Sequence, residues 1–161
     1  MPTDYRTEAE LVQFAKLRIA ACTRCPDEEN RPAVMQRFLW ICLAGALGTG
    51  LRYLIGLWAG QRFASTFPVG TLIVNLVGCF LIALIMHLAL RVATFPPGLR
   101  VVLTTGFMGG LTTYSAFNFE TTRLWIDGAR RVALLNLGVT VLGCLIAGLL
   151  GLALARRLVG A

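Results

Sequence analysis

The sequence predicts an all-α integral membrane protein with four transmembrane helices, the third of them broken mid-membrane. Three observations carry that fold class. First, 57% of the 161 residues are hydrophobic and only 14% are charged, with a mean hydropathy of +0.72; an ordinary soluble domain carries about 25% charged residues. Second, four apolar stretches, about 38–60, 68–90, 99–124 and 132–155, reach the roughly 20 residues a helix needs to cross a bilayer. Third, Gly106, Gly109, Gly110, Thr112 and Thr113 crowd together inside the third stretch. Glycine costs about 1 kcal/mol against alanine in a helix, and β-branched threonine is also a poor former, so the helix should loosen or break there. Irregular backbone at that depth is tolerated only where protein or a water-filled cavity covers it, and its freed carbonyl and N–H groups can bind ions. The run therefore points to ion handling rather than anchoring.

Residues 1–34 differ in kind from the rest and read as a polar N-terminal extension to a membrane domain over 35–161. Thr7-Glu8-Ala9-Glu10 fits a capping box, and Leu11, Phe14 and Leu17 follow at helical spacing, which predicts a short amphipathic helix. No apolar core precedes a small-residue cleavage site, so the segment does not read as a signal peptide. Cys22 and Cys25 form a CxxC pair without the second ligand pair a zinc site needs. Met35 is an alternative start, just ahead of the first span.

The first span carries Gly45, Gly48, Arg52 and Gly56 on one helical stripe. Small residues there let another backbone approach closely. Two readings stand for Arg52: it faces protein and meets a partner, or it snorkels to the interface. The second span carries Thr71, Asn75 and Gly78 on a stripe; Asn75 is either an interhelical hydrogen-bonding residue or a donor to a ligand. In the third span, Tyr114 and Phe117 share a face and Ser115 lies in a neighbouring polar row with Asn118. Aromatic edges carry partial positive charge and can approach an anion, although core packing accounts for such a pair equally well. Glu120 is the only acid inside a span, a partner for Arg52 or a lining group of a water-facing vestibule. The fourth span aligns Asn136, Thr140 and Cys144, with Gly143, Ala147 and Gly151 beside them, a small and mildly polar face suited to protein contact.

Breaks between spans fall at 61–68, at 91–100 with Pro96 and Pro97, and at Asp127-Gly128. The connections are short, so neighbouring spans should be antiparallel. Arg31, Arg37, Arg91, Arg100, Arg156 and Arg157 flank one side, and Arg62, Arg123, Arg130 and Arg131 the other. That bias is weak under the positive-inside rule. It suggests a dual-topology antiparallel dimer, an idea that would fail if cysteine-accessibility mapping of tagged termini gave a single orientation.

The net charge of +7 does not imply nucleic acid as a partner, because the arginines are scattered at the ends of apolar runs. Enzyme chemistry finds no support either: there is no Ser/His/Asp set, metal-ligand cluster or phosphate loop, and His87 is the sole histidine. Cation pores and proton-coupled exporters usually need an intramembrane acid ring or relay. Hydroxyls, amides and aromatic edges suit a small anion better.

Gly70-Thr71-Leu72-Ile73-Val74-Asn75, the run Gly106 to Phe117 and Gly48-Thr49-Gly50-Leu51-Arg52-Tyr53 resemble the small fluoride channels of the Fluc (CrcB) type, from about Met35 to the end of the fourth span. The resemblance implies a multi-pass protein of the cell (inner) membrane, an antiparallel homodimer with two fluoride pores that exports fluoride entering cells as HF. It implies that Asn75 lines the pore as a donor, with Thr71 on the same stripe. Tyr114 and Phe117 would turn ring edges to fluoride, with Ser115 a polar neighbour and Thr140 and Cys144 a polar track. Arg52 and Glu120 match charged positions near the pore mouths. Gly109 and Thr112 would give backbone carbonyls to a structural sodium ion at the dimer centre. The chain departs from the family pattern at Tyr114, where phenylalanine is usual, at Ala116, where threonine is usual, and at Cys144, where a hydroxyl is common. Passive conduction is expected, since no carboxylate sits on the implied path. Two alternatives are a four-helix drug exporter, which relies on an acid in its first span that is missing here, and a structural subunit without a pore.

Overall fold

The computed structural model describes residues 31–63, 65–92 and 94–159. The expected amphipathic helix and the Cys22–Cys25 pair lie outside them. The chain divides into two compact units, Met1–Gln36 and Arg37–Ala161, and the packing described below lies within the second. All regular structure among the described residues is helical: α1 (Arg31–Phe63), α2 (Val69–Arg91), α3 (Pro97–Val101), a π-helical turn (Val102–Met108), α4 (Gly109–Leu111), α5 (Tyr114–Ile126) and α6 (Arg130–Val159). Three of these, α1, α2 and α6, are individually long and apolar enough to cross a membrane. The remaining span, 97–126, is assembled from shorter pieces. The protein is thus a multi-pass membrane protein, and large apolar side chains such as Leu47, Leu54, Leu142 and Leu149 stand exposed on its outer faces, as a bilayer solvent allows.

Contacts between helices fix their directions. A Cβ at Gly106 would meet Ile41 and Ala44, one at Gly48 would run into the Phe107 carbonyl, and one at Gly110 into the Gly45 carbonyl. Numbers rise together, so α1 and the first half of the broken span run parallel. The same holds for α2 and α6, where Gly143 faces Leu76 and Gly151 faces Phe80. Between α2 and the broken span the order reverses: Thr71 bonds Glu120 and Asn75 bonds Thr113. Spans therefore alternate in direction, as the short connections predicted. The turn into α6 uses Gly128 at a φ of +85°, a left-handed conformation open to glycine at no steric cost.

The break itself differs in detail from the sequence expectation. The glycines do not interrupt the chain. The helix passes through them, widened over Val102–Met108 and α-helical again to Leu111. At Gly106 and Gly110 the lack of a side chain instead lets the α1 backbone lie against the π-helical turn and α4. The interruption is confined to Thr112 and Thr113, both extended, at φ −83°, ψ 154° and φ −151°, ψ 113°. β-branched residues favour that region. Gly78 on α2 leaves the room that the Thr112 methyl occupies.

Candidate functional site

The site is built around the two extended threonines, where the polar groups released by the helix find unusual partners. Asn75, 7% exposed, clamps Thr113 with both ends of its amide. Its Oδ1 accepts from the Thr113 N–H at 2.8 Å and its Nδ2 donates to the Thr113 carbonyl at 3.1 Å. Arg52 Nε donates to the Gly110 carbonyl at 3.1 Å, with the Thr49 hydroxyl a more distant donor at 3.5 Å. Of the two readings for Arg52, the protein-facing one is realised, and its partner is backbone at the break rather than Glu120. Thr113 also caps α5, its Oγ1 accepting from the Ala116 N–H at 3.2 Å, the usual role of threonine at a helix start. Ser115 stays beside it, with its hydroxyl 3.3 Å from that of Thr113.

One groove of about 400 Å³ gathers most of the candidates. Asn75, Thr112, Thr113, Tyr114, Phe117, Thr140 and Cys144 all line it, with Cys79, Val141 and Leu145. No charged side chain is among them. The Tyr114 and Phe117 rings lie 5.8 Å apart at 56°, yet their environments differ: Phe117 is 5% exposed and Tyr114 80%.

Thr71, Arg52 and Glu120 line a second cavity of about 380 Å³ with Thr49, Tyr53 and Thr113. Thr113 is the wall the two spaces share. The Thr71 hydroxyl donates to Glu120 Oε1 at 2.8 Å, while Glu120 Oε2 is buried without a partner among the described residues. A smaller space of about 220 Å³ continues from Thr71 and Glu120 to Ser65, Phe67 and Pro68 in the loop before α2. Glu120 shares the second cavity with Arg52, and the bond of its carboxylate is to Thr71. His87 lines none of these three cavities.

Sequence reasoning treated Asn136 as packing, and the structure gives it more. It is 1% exposed; its Nδ2 donates to Thr121 Oγ1 at 2.8 Å and its Oδ1 accepts from the Thr140 hydroxyl at 3.3 Å. Thr121 in turn donates to the Phe117 carbonyl at 2.7 Å. The one signal that pointed to it was its place on the Asn136–Thr140–Cys144 stripe.

Several carbonyls lose their usual helical donors at the break, those of Gly109 and Thr112 among them. The Thr113 N–H that would serve Gly109 goes to Asn75, and the Ala116 N–H that would serve Thr112 goes to the Thr113 hydroxyl. Oxygen atoms of this kind suit a hard cation, and no cluster of three metal-binding side chains occurs among the described residues.

Residues 39–152 match the family model described as CrcB-like protein, Camphor Resistance (CrcB). The chain is 48% identical over 124 residues to a protein of Citrifermentans bemidjiense named fluoride-specific ion channel FluC, covering 77% of this chain and all of that one. It is 49% identical over 126 residues to a protein of the same name from Anaeromyxobacter dehalogenans, covering 78% of this chain and all of that one. A third protein of that name, from Sorangium cellulosum, is 47% identical over 125 residues, with 78% of this chain and 98% of that one covered. With a family match over most of its length and relatives spanned end to end, the chain belongs to the CrcB family of membrane proteins.

Proposed function

We propose that this protein is a passive, fluoride-selective channel that lowers cytoplasmic fluoride, and not an enzyme. One observation carries the reading: the groove at the helix break is lined by amide, hydroxyl, thiol and aromatic groups and by no charged side chain, in a chain whose full-length relatives are named fluoride-specific ion channels. Fluoride holds water tightly, and taking it into a low dielectric is expensive unless other donors replace that water. One amide hydrogen of Asn75 remains after its bond to Thr113. The Phe117 ring edge and the Cys144 thiol add weaker donors, and weak donors let an ion leave as well as enter. The α5 N-terminus adds its positive dipole end beside the same break. The conducting stretch is the groove itself, and the cavity of Thr71 and Glu120 beyond Thr113 is its mouth, so the carboxylate stands outside the charge-free stretch.

The functional unit is an antiparallel homodimer in the cell membrane. Tyr114, a large ring left 80% exposed beside the break, supports a second copy covering this face, and the weak arginine bias supports insertion both ways up. Gly109 and Thr112 would hold a structural sodium ion between the two copies through their freed carbonyls. Such an ion would supply fixed positive charge between the two broken helices. Replacing sodium by N-methylglucamine is expected to weaken the dimer and its flux together, read by cross-linking and efflux; an unchanged dimer would remove sodium from the structure.

The decisive test is efflux from proteoliposomes loaded with fluoride and chloride under a voltage clamp. Fluoride should leave rapidly and chloride should stay. Phe117→Ile should lower fluoride flux at least about tenfold (about 1.4 kcal/mol) with the dimer intact. Normal flux in that variant would place the path elsewhere. Fluoride movement that tracked a proton gradient at zero voltage would replace passive conduction by coupled transport.

A further inference from the structure

The groove holds two thiols, and the conduction path needs only one of them. Cys79 on α2 and Cys144 on α6 both line it, and both are free and part-exposed. The helices that carry them are pressed together at this level: Gly148 lies against the Cys79 carbonyl, and Gly151 against Phe80. The backbones therefore have little freedom to separate the two sulfurs. The remaining cysteine of the described residues, Cys42, is exposed on α1 and lines none of the three cavities.

Two thiols lining one groove, without carboxylate or imidazole neighbours in it, select for soft metals over hard ones. Thiolates prefer soft, polarisable cations, whereas zinc sites generally want four ligands. Metal binding to thiols releases their protons. From this geometry we infer that Cys79 and Cys144 form a binding site for a soft, two-coordinate metal ion, and that its occupation closes the groove to fluoride. With mercuric chloride as the incoming species, two S–H bonds and two Hg–Cl bonds break and two S–Hg bonds form. Two protons and two chlorides leave, and no atom changes oxidation state. The neutral chloride avoids the cost of carrying a bare cation into a low dielectric. The bound metal would share the groove with Asn75, Phe117 and Leu145, all lining residues of the same space.

The blocking effect rests on the channel reading; metal binding does not. The test uses the full chain with Cys22, Cys25 and Cys42 replaced by serine, leaving only the pair. Mercuric chloride is added, excess monothiol is washed through, retained mercury is counted, and fluoride efflux is measured against each sample's own unexposed rate. The expected result is one mercury retained per chain and efflux lowered at least about tenfold, both reversed by a small dithiol. Cys79→Ala and Cys144→Ala, each made in that background, should lose the retained mercury to the monothiol wash. Retention in either single variant as strong as in the pair would show thiols acting alone and overturn the site, as would no retention by the pair. One mercury per chain with efflux unchanged would keep the site and overturn the block. A chain that conducts no fluoride before exposure yet retains its mercury would keep the site and overturn the channel reading instead.

Discussion

Asn75→Ala is expected to remove nearly all fluoride flux and to lower stability by about 2–5 kcal/mol, since each buried group left unpaired costs about 1–3 kcal/mol. The two groups are the N–H and carbonyl of Thr113, which bond the Asn75 amide at 2.8 and 3.1 Å. No helical neighbour can take over the N–H, because Thr113 is extended and stands outside α5 as its N-cap; its carbonyl can still turn to the first-turn N–H of Phe117. Water from the groove can soften the loss, which sets the low end of the range. Asn75→Asp separates the two roles of the side chain. It keeps an acceptor for the Thr113 N–H but has no amide hydrogen for either the Thr113 carbonyl or an anion, and it adds a negative charge to the groove. Its thermal unfolding should lie above that of Asn75→Ala, while its flux should be as low or lower. Equal flux in wild type and Asn75→Asp would take the amide off the ion path.

Most of the architecture was legible in the sequence because apolar length is a strong signal. The four spans and their breaks stand where expected; three overrun their expected bounds at both ends, and the second, expected at 68–90, runs Val69–Arg91. The span foreseen at 38–60 belongs to Arg31–Phe63, and that at 132–155 to Arg130–Val159. A hydropathy window stops at charge, but an arginine such as Arg62 or Arg156 extends a helix readily and sends its head to the interface. The position of the break was legible only in part. Propensity marked the whole run of Gly106, Gly109, Gly110, Thr112 and Thr113 as weak, yet tertiary packing turned Gly106 and Gly110 into the contact surface for α1, and the threonines alone took the interruption. No local scale distinguishes a glycine that frees the backbone from one that admits a neighbour. Placement around the groove shows the same split. Asn75, Tyr114, Phe117, Thr140 and Cys144 line one groove, a grouping that the family resemblance implied and that stripes on single helices did not contain. The division of Thr71, Arg52 and Glu120 into a separate cavity, and the bond from Arg52 to Gly110 across 58 positions of sequence, depend on how spans cross, which single-helix periodicity does not contain.

Asn136→Leu is expected to lower fluoride flux about tenfold and to destabilise the protein by about 1–3 kcal/mol, the scale of one buried polar tie. Asn136 joins α5 to α6 through Thr121, and Thr121 holds the Phe117 carbonyl. Removing the amide therefore loosens the very turn of α5 that sets the Phe117 ring in the groove. The same amide governs Thr140. A hydroxyl has a single hydrogen, and that of Thr140 points to Asn136 Oδ1 at 3.3 Å. In this arrangement Thr140 offers the groove lone pairs, and it can donate to an anion only by giving up a long and therefore weak bond. Asn136 is thus a positioning residue, acting through Phe117 and Thr140 without touching the groove itself. A double-mutant cycle with Thr140→Val distinguishes this from simple packing. Residues in one hydrogen-bonded network show coupling energies of about 0.5–3 kcal/mol, whereas independent sites add within about 0.5 kcal/mol. Flux and unfolding measured across the four proteins should give coupling in the first range for both readouts. Strict additivity in flux would mean that Asn136 supports the helix pair and leaves the Thr140 hydroxyl free of its control.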